Sequence, residues 1–274
     1  MKTILTILIF SLFTNSINNK LETIVKKGIN ENYKNLELQN RIIPIALQFL
    51  NTPYQGGTLD INENEKCIIN TKGLDCVTFF ENVLAIAKYY DSKYNDIFNQ
   101  NEIYKLVENT RYRNGKLNGY ISRLHYTSEW IIDNQKRGNI KNISKELGGT
   151  PLNQNVYFMS KNYKKYKYLK SNPNLVPKIK EIEKIINQEI IYYIKKENIN
   201  EISNKIKSGD IIAITTNIKG LDYSHTGIAY RDEKGILRLL HASKKYKKVV
   251  IDLQLHKYLS KNKTQTGISV LRPL

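Results

Sequence analysis

The chain has 274 residues, 41% of them hydrophobic, with 43 Lys and Arg against 25 Asp and Glu for a formal net charge of +18. That length and apolar content suit a packed core in one domain with additions, or in two small ones. The lysines are scattered among Asn, Ile and Tyr rather than gathered into a basic motif. The charge therefore does not indicate a nucleic-acid binder, although it favours encounter with an anionic polymer through field steering.

Taken in chain order, Lys2 and the apolar residues 3–13 have the form of a secretory signal, with residues 14–16 as a small-residue cleavage site. The apolar run is shorter than the roughly 20 residues a membrane span needs, so no stable membrane anchor is expected. An uncleaved core helix is the alternative. Residues 37–50 carry the helical stripe Leu38, Ile42, Ile45 and Phe49, interrupted by Pro44. Asn51-Thr52-Pro53-Tyr54 then leaves the helix, and Gly56-Gly57 permits a tight backbone path. Helices are predicted over about 76–90, 95–112 and 127–135, the last capped by Thr127 or Ser128. Residues 161–170 are Lys- and Tyr-rich and read as a solvated helix or loop. Ile179, Ile182, Ile186, Ile190 and Ile194 predict one amphipathic helix over 178–196. From Gly209 the pattern changes to strands, over 210–216, 225–231, 236–242, 248–253 and 267–272. Helices first and then a consecutive antiparallel sheet make an α+β fold.

The most informative segment is Lys72-Gly73-Leu74-Asp75-Cys76-Val77-Thr78-Phe79. It sets Cys76 at the junction of a glycine-containing loop and an amphipathic helix, with Asp75 as the N-cap. Free N–H groups and the positive dipole end stabilise a thiolate there, which lowers a cysteine pKa from about 8.5 towards 7. The competing interpretation is a small buried hydrophobe. The second cysteine, Cys67, leaves open a disulfide that would silence Cys76; the spacing of the two lacks the pattern of a structural zinc site.

A nucleophile needs a base, and the four histidines are His125, His225, His241 and His256. Two of them fall on one predicted hairpin. A turn centred on Glu233 sets His225 directly opposite His241, with Cβ atoms roughly 4.5–5.5 Å apart on one sheet face. The inference depends on the turn, because a one-residue slip in one strand sends them to opposite faces. Half a metal site and ordinary structural histidines are the alternatives. His256 has no motif around it.

Tyr54, Gly56-Gly57, Asp75-Cys76, Ser224-His225 and His241 resemble the papain-like cell-wall cysteine peptidases typified by NlpC. A nearer resemblance, to the N-acetylmuramoyl-L-alanine amidase-like family, rests on five ordered blocks. They are Thr52-Pro53-Tyr54-Gln55-Gly56-Gly57-Thr58-Leu59, Gly73-Leu74-Asp75-Cys76, Gly119-Tyr120-Ile121-Ser122-Arg123-Leu124-His125-Tyr126, Gly209-Asp210-Ile211-Ile212-Ala213-Ile214-Thr215-Thr216 and Leu239-Leu240-His241-Ala242-Ser243. The chain departs from the broader superfamily after Asp-Cys. Val77-Thr78-Phe79 stand where Ser-Gly-Phe is usual, at positions that line the substrate groove in the relatives.

The resemblance implies a papain-like cysteine hydrolase core, with N-terminal helices carrying the nucleophile and a C-terminal antiparallel sheet or partial barrel. Residues 17–274 are then one catalytic domain, with a helical insertion over roughly 91–200. It implies Cys76 as nucleophile, His225 as base and His241 as its orienter, acting on peptidoglycan or muropeptides without metal or cofactor. Tyr54, Asp75, Arg123, His125, Tyr126 and Ser224 are the implied substrate contacts. For three of them a structural role stands beside the functional one: ring packing for Tyr54, helix capping for Asp75 and an ordinary surface position for Arg123. The implied reaction is cleavage between muramic acid and L-alanine by an exported, periplasmic enzyme. A γ-D-glutamyl-diamino-acid endopeptidase and an idle wall-binding domain are the rival functions.

Overall fold

The computed structural model describes residues 20–153 and 155–274, so the expected signal segment over residues 1–16 lies outside the described residues. Five helices come first: α1 (residues 20–30), α2 (Leu38–Leu47), α3 (Cys76–Tyr89), α4 (Gln100–Arg111) and α5 (Thr127–Lys136). Strands β1 (Ile140–Asn142) and β2 (Thr150–Pro151) follow, then helices α6 (Phe158–Lys161), α7 (Lys167–Ser171) and α8 (Val176–Ile186). After β3 (Tyr192–Lys195) and the short helix α9 (Ile199–Ile202) come β4 (Ile211–Thr216), β5 (Tyr223–Arg231), β6 (Leu237–Ser243) and β7 (Lys248–Gln254). Helix α10 (Leu255–Ser260) and β8 (Gln265–Pro273) close the chain. None of the described helices is long and apolar enough to cross a membrane.

All eight strands join one sheet in the order β2-β3-β8-β4-β5-β6-β7, with β1 also on β8, and every pairing is antiparallel. Side-chain alternation divides its two faces. Ile211, Ala213, Ile228, Leu240 and Ala242 pack with the fully buried Phe79, Val83 and Ile86 of α3. Ile212, Ile214, Ala229 and Leu239 point the other way, onto Leu255 and Leu259 of α10. Helix α3 is therefore clamped between α2 and α4 on one side and the sheet on the other. Its flank is fixed by a buried ion pair, Arg111 Nε to Glu81 Oε2 at 2.6 Å.

Two expectations are corrected. The isoleucine run over 178–196 is not one helix: α8 stops at Ile186, and the segment re-enters as β3, with Ile194 opposite Ile268 of β8. Asn187 ends the helix by bonding Val156 through both amide atoms, and the following Ile-Ile-Tyr-Tyr-Ile is β-branched and aromatic, which suits a strand. Helix α5 is not capped by Thr127 or Ser128. The buried Asp222 carboxylate accepts the Ser128 N–H at 2.7 Å from across the chain.

The Lys/Tyr-rich stretch is also less solvated than its composition suggests. Tyr163, Tyr166 and Tyr168 pack on a third apolar cluster with Tyr120, Tyr126 and Met159, and the Tyr120 and Tyr168 rings stack at 4.3 Å. The region over 91–200 thus supplies three strands to the common sheet and one wall of the cleft beside Cys76.

Candidate functional site

Cys76 is the first residue of α3. The N-cap Asp75 accepts from Val77 N at 3.1 Å and Thr78 N at 2.8 Å, and Asp75 N donates to Thr78 Oγ1 at 3.0 Å. Such a capping box is worth about 0.5–2 kcal/mol to the helix. It also explains the departure at positions 77–78. Thr78 is buried and its hydroxyl completes the cap, so it does not form groove wall, whereas Val77 lines the cleft.

The tip of α3 is fastened to the sheet at one point. Thr226 Oγ1 donates to the Cys76 carbonyl at 2.9 Å, which brings two residues 150 positions apart together. Burial pushes the Cys76 thiol up to about 11, the Asp75 charge adds to this, and hydrogen bonds from Thr226 and from the Cys76 N–H pull the other way. The expected lowering at the helix start is therefore outweighed by desolvation in the resting site. Cys67 is also a free thiol, held up at about 12 by burial, with Sγ 3.8 Å from the Tyr104 carbonyl.

The hairpin carrying the histidines is offset from the sequence expectation. Ile228 lies opposite Leu240 and Arg231 opposite Leu237, so the turn centres on Lys234 rather than Glu233. This moves the register by two residues, which preserves the face because side chains alternate with period two. His225 and His241 consequently share the face turned away from the body of α3, and His225 Nε2 lies 2.5 Å from His241 Nδ1. Next to His225, a bulge leaves Ser224 without a partner between the pairs His225–Ile214 and Tyr223–Thr215. Ser224 is exposed there.

The chain of polar contacts extends one residue beyond the sequence reading. His241 is 1% exposed, and its Nε2 lies 3.3 Å from Asp252 Oδ2 on β7. A carboxylate in that position accepts Nε2–H, which leaves His241 Nδ1 as an acceptor for His225 Nε2–H. His225 Nδ1 is then the unprotonated nitrogen. Hydrogen bonding from His241 holds the Asp252 carboxyl below the usual carboxylate range. Burial and the neighbouring imidazole bring His225 down to about 3, so it is neutral at ordinary pH. Asp252 could have been singled out as a lone acid within the strand Val249-Val250-Ile251-Asp252-Leu253. Tyr258 of α10, whose ring centroid lies 5.3 Å from that of His241, carried no comparable signal.

Two cavities meet at Ser224 and His225. One, of about 310 Å³, contains Cys76 and is walled by Tyr120, Tyr166 and Met159. The other, of about 350 Å³, contains His241, Asp252 and Tyr258. The remaining expected contacts line the first cavity but have partners of their own, with the exception of Tyr54. Arg123 is 6% exposed; its guanidinium pairs with Asp60, sits 3.6 Å from Glu65 and lies over the Tyr120 ring. His125 donates from Nε2 to the Tyr120 carbonyl at 2.8 Å, and burial keeps it neutral. Tyr126 donates to Glu183 at 2.7 Å and accepts the Met159 N–H. Tyr54 is bridged to Leu74 just before Asp75, and burial with the nearby Cys76 and Asp75 raises its phenol to about 12.

A family model described as N-acetylmuramoyl-L-alanine amidase-like matches residues 44–268. No curated protein matches the chain. Among solved structures, an N-acetylmuramoyl-L-alanine amidase from Bacteroides uniformis is 33% identical with a TM-score of 0.80, covering 86% of this chain and 98% of its own. A Bacteroides fragilis protein provisionally described as a xylanase is 38% identical with a TM-score of 0.77, covering 83% of this chain and 98% of its own. A Legionella pneumophila protein at 24% identity and a TM-score of 0.69, covering 95% of this chain and 96% of its own, shares the fold.

Proposed function

The chain belongs to the N-acetylmuramoyl-L-alanine amidase-like family, and from that premise we propose that it is an exported peptidoglycan hydrolase. It cuts the amide between N-acetylmuramic acid and L-alanine, with Cys76 as nucleophile on a papain-like core. The observation that carries this reading is the hydrogen-bonded series Asp252–His241–His225, which ends in the cleft that contains Cys76.

The series sets the direction of proton flow. With His225 Nε2–H committed to His241, only Nδ1 can receive the Cys76 thiol proton. A thiol near 11 and an imidazole near 3 rest as a neutral pair, so transfer accompanies attack. Sγ adds to the lactyl carbonyl carbon as the S–H proton passes to His225. The first-turn N–H groups of Val77 and Thr78 are taken by Asp75, which leaves the Cys76 N–H to face the developing oxyanion. Collapse breaks the C–N bond, and the L-alanine nitrogen takes the proton from His225. Water, deprotonated by His225, then hydrolyses the thioester, releasing the lactyl carboxylate and restoring the thiol.

A glycosidase reading, drawn from the description of the B. fragilis relative, fits less well. Such chemistry uses two free carboxyl groups across the scissile bond. In the Cys76 cleft, Asp75 is spent on the helix cap, Asp60 on Arg123 and Asp222 on the N–H groups of Ser128 and Tyr223. The test is mass spectrometry of muropeptides after incubation with the pure protein. Free stem peptide beginning with L-alanine, together with unsubstituted sugar, is the expected product. Release of L-Ala-D-Glu would make it the endopeptidase, and unchanged substrate the idle binder.

A further inference from the structure

The second cavity is given no substrate in the mechanism above, yet His225 walls it together with His241 and Asp252. We propose that this cavity is the subsite for the acidic peptide that departs as the amine, its carboxylates held by Lys244, Lys245 and Lys261. The inference rests on the amide-hydrolase reading and adds to it which half of the substrate goes where.

The orientation follows from the covalent step. The acyl half becomes bonded to Cys76 and must occupy the cavity that contains Cys76. The leaving nitrogen must lie within reach of the imidazole that protonates it. Whatever is attached to that nitrogen then continues past His225 into the cavity that contains His241 but not Cys76.

The electrostatics of the two cavities agree with that assignment. The three lysines stand against a single carboxylate, Asp252, which is already tied to His241. Among the described residues none of the three forms an ion pair, and Lys245 is close enough to Asp252 to help hold its carboxyl down. The Gln265 side chain, 3% exposed, also lines this cavity, with its carbonyl oxygen lacking a partner. In the Cys76 cavity the balance is reversed, with Asp60, Asp75 and Asp222 against the one guanidinium of Arg123. An acidic peptide is thus attracted to one side and repelled from the other, while the aromatic walls of the Cys76 side suit a sugar ring.

The experiment compares two muropeptides that differ only in whether the peptide carboxylates are free or amidated. The wild-type protein is expected to prefer the free acid by about 5- to 30-fold in kcat/KM, the combined effect of three exposed ion pairs that are each weak. In the triple variant Lys244→Gln, Lys245→Gln, Lys261→Gln that preference falls to within about twofold, because turnover of the free acid drops much more than turnover of the amide. Lys261→Glu alone lowers turnover of the free acid more than of the amide. The three lysines are exposed, and melting curves verify that the variants fold. A triple variant that keeps the full preference overturns the proposal, as does a wild-type protein indifferent to amidation. Product masses from the same digests report the bond that is cut, so a wrong bond and a wrong subsite are told apart.

Discussion

Replacing Asp252 by Asn keeps the shape of the side chain and removes the charge that selects the His241 tautomer. An asparagine can turn its NH2 towards His241 Nε2, which then becomes the acceptor and moves the ring proton to Nδ1. That proton would face His225 Nε2–H across 2.5 Å. Relief requires His225 to carry its own proton on Nδ1, the nitrogen needed for the Cys76 thiol. The size of the effect follows from the hydrogen bond between Asp252 and His241. Asp252 is 7% exposed by side chain and lies 3.3 Å from the imidazole, so solvent screening is slight. A charge-assisted hydrogen bond there is worth about 1.5–3 kcal/mol, which converts to a loss of about 10- to 150-fold in kcat/KM. The assay is muropeptide turnover from pH 2.5 to 9, with a melting curve for each variant at each pH. Because the Asp252 carboxyl lies below its unfolded value, its contribution is present above ordinary carboxylate pH and is lost as pH falls. Wild-type activity should therefore fall in acid through both Asp252 and His225, whereas the Asn variant keeps only the His225 part of that limb. An Asn variant within twofold of wild type, with the same acid limb, would refute the relay.

Cys76→Ala abolishes turnover without unfolding the protein, whereas Cys67→Ser retains most of it; equal losses would point to a shared structural role for the two thiols. Alkylation of Cys76 by iodoacetamide should accelerate about tenfold per pH unit between pH 7 and 10, as a thiol near 11 requires, and a plateau already reached at pH 6 would mean a resting thiolate. Acid should destabilise the fold through His225. Between about 6.5, where an unfolded histidine titrates, and about 3, only the unfolded chain takes the proton, so stability falls by up to about 1.4 kcal/mol per pH unit for this residue. His225→Gln is expected to show a shallower decline of melting temperature from pH 7 to 4, and parallel slopes would contradict the assignment.

The cysteine helix and the five C-terminal strands were legible because each carries its own periodicity. The loop-to-helix junction at Asp75-Cys76 could be read to the residue, since an N-cap is a local event. The His225–His241 contact was legible for a different reason: strand alternation forgives an error of two residues in a turn and punishes only an error of one. Asp252 was legible only as a lone acid in an apolar strand; its link to His241 was not, because the two lie on different strands and the bulge between Arg238 and Leu240 breaks the count needed to pair them. Arg123 shows the same limit. Its type and block were visible, but not that Asp60 and Glu65, distant in sequence, already neutralise it. Strand β3 was hidden by isoleucines whose spacing suits a helix, until the pairing with β8 decides otherwise.

The position of β8 bears on when this protein can act. Strand β8, the last of the described strands in sequence, lies inside the sheet between β3 and β4, and the β4–β5 ladder that presents His225 rests against it. Cys76 by contrast is made early, and it meets Thr226 only after 150 further residues have been added. Contacts of such sequence separation form late, because loop closure must precede them. A partly synthesised or C-terminally clipped chain would hold the thiol without its histidines in register. On the hydrolase reading, activity would then appear only once β8 has docked beside β4, so folding itself would set the delay.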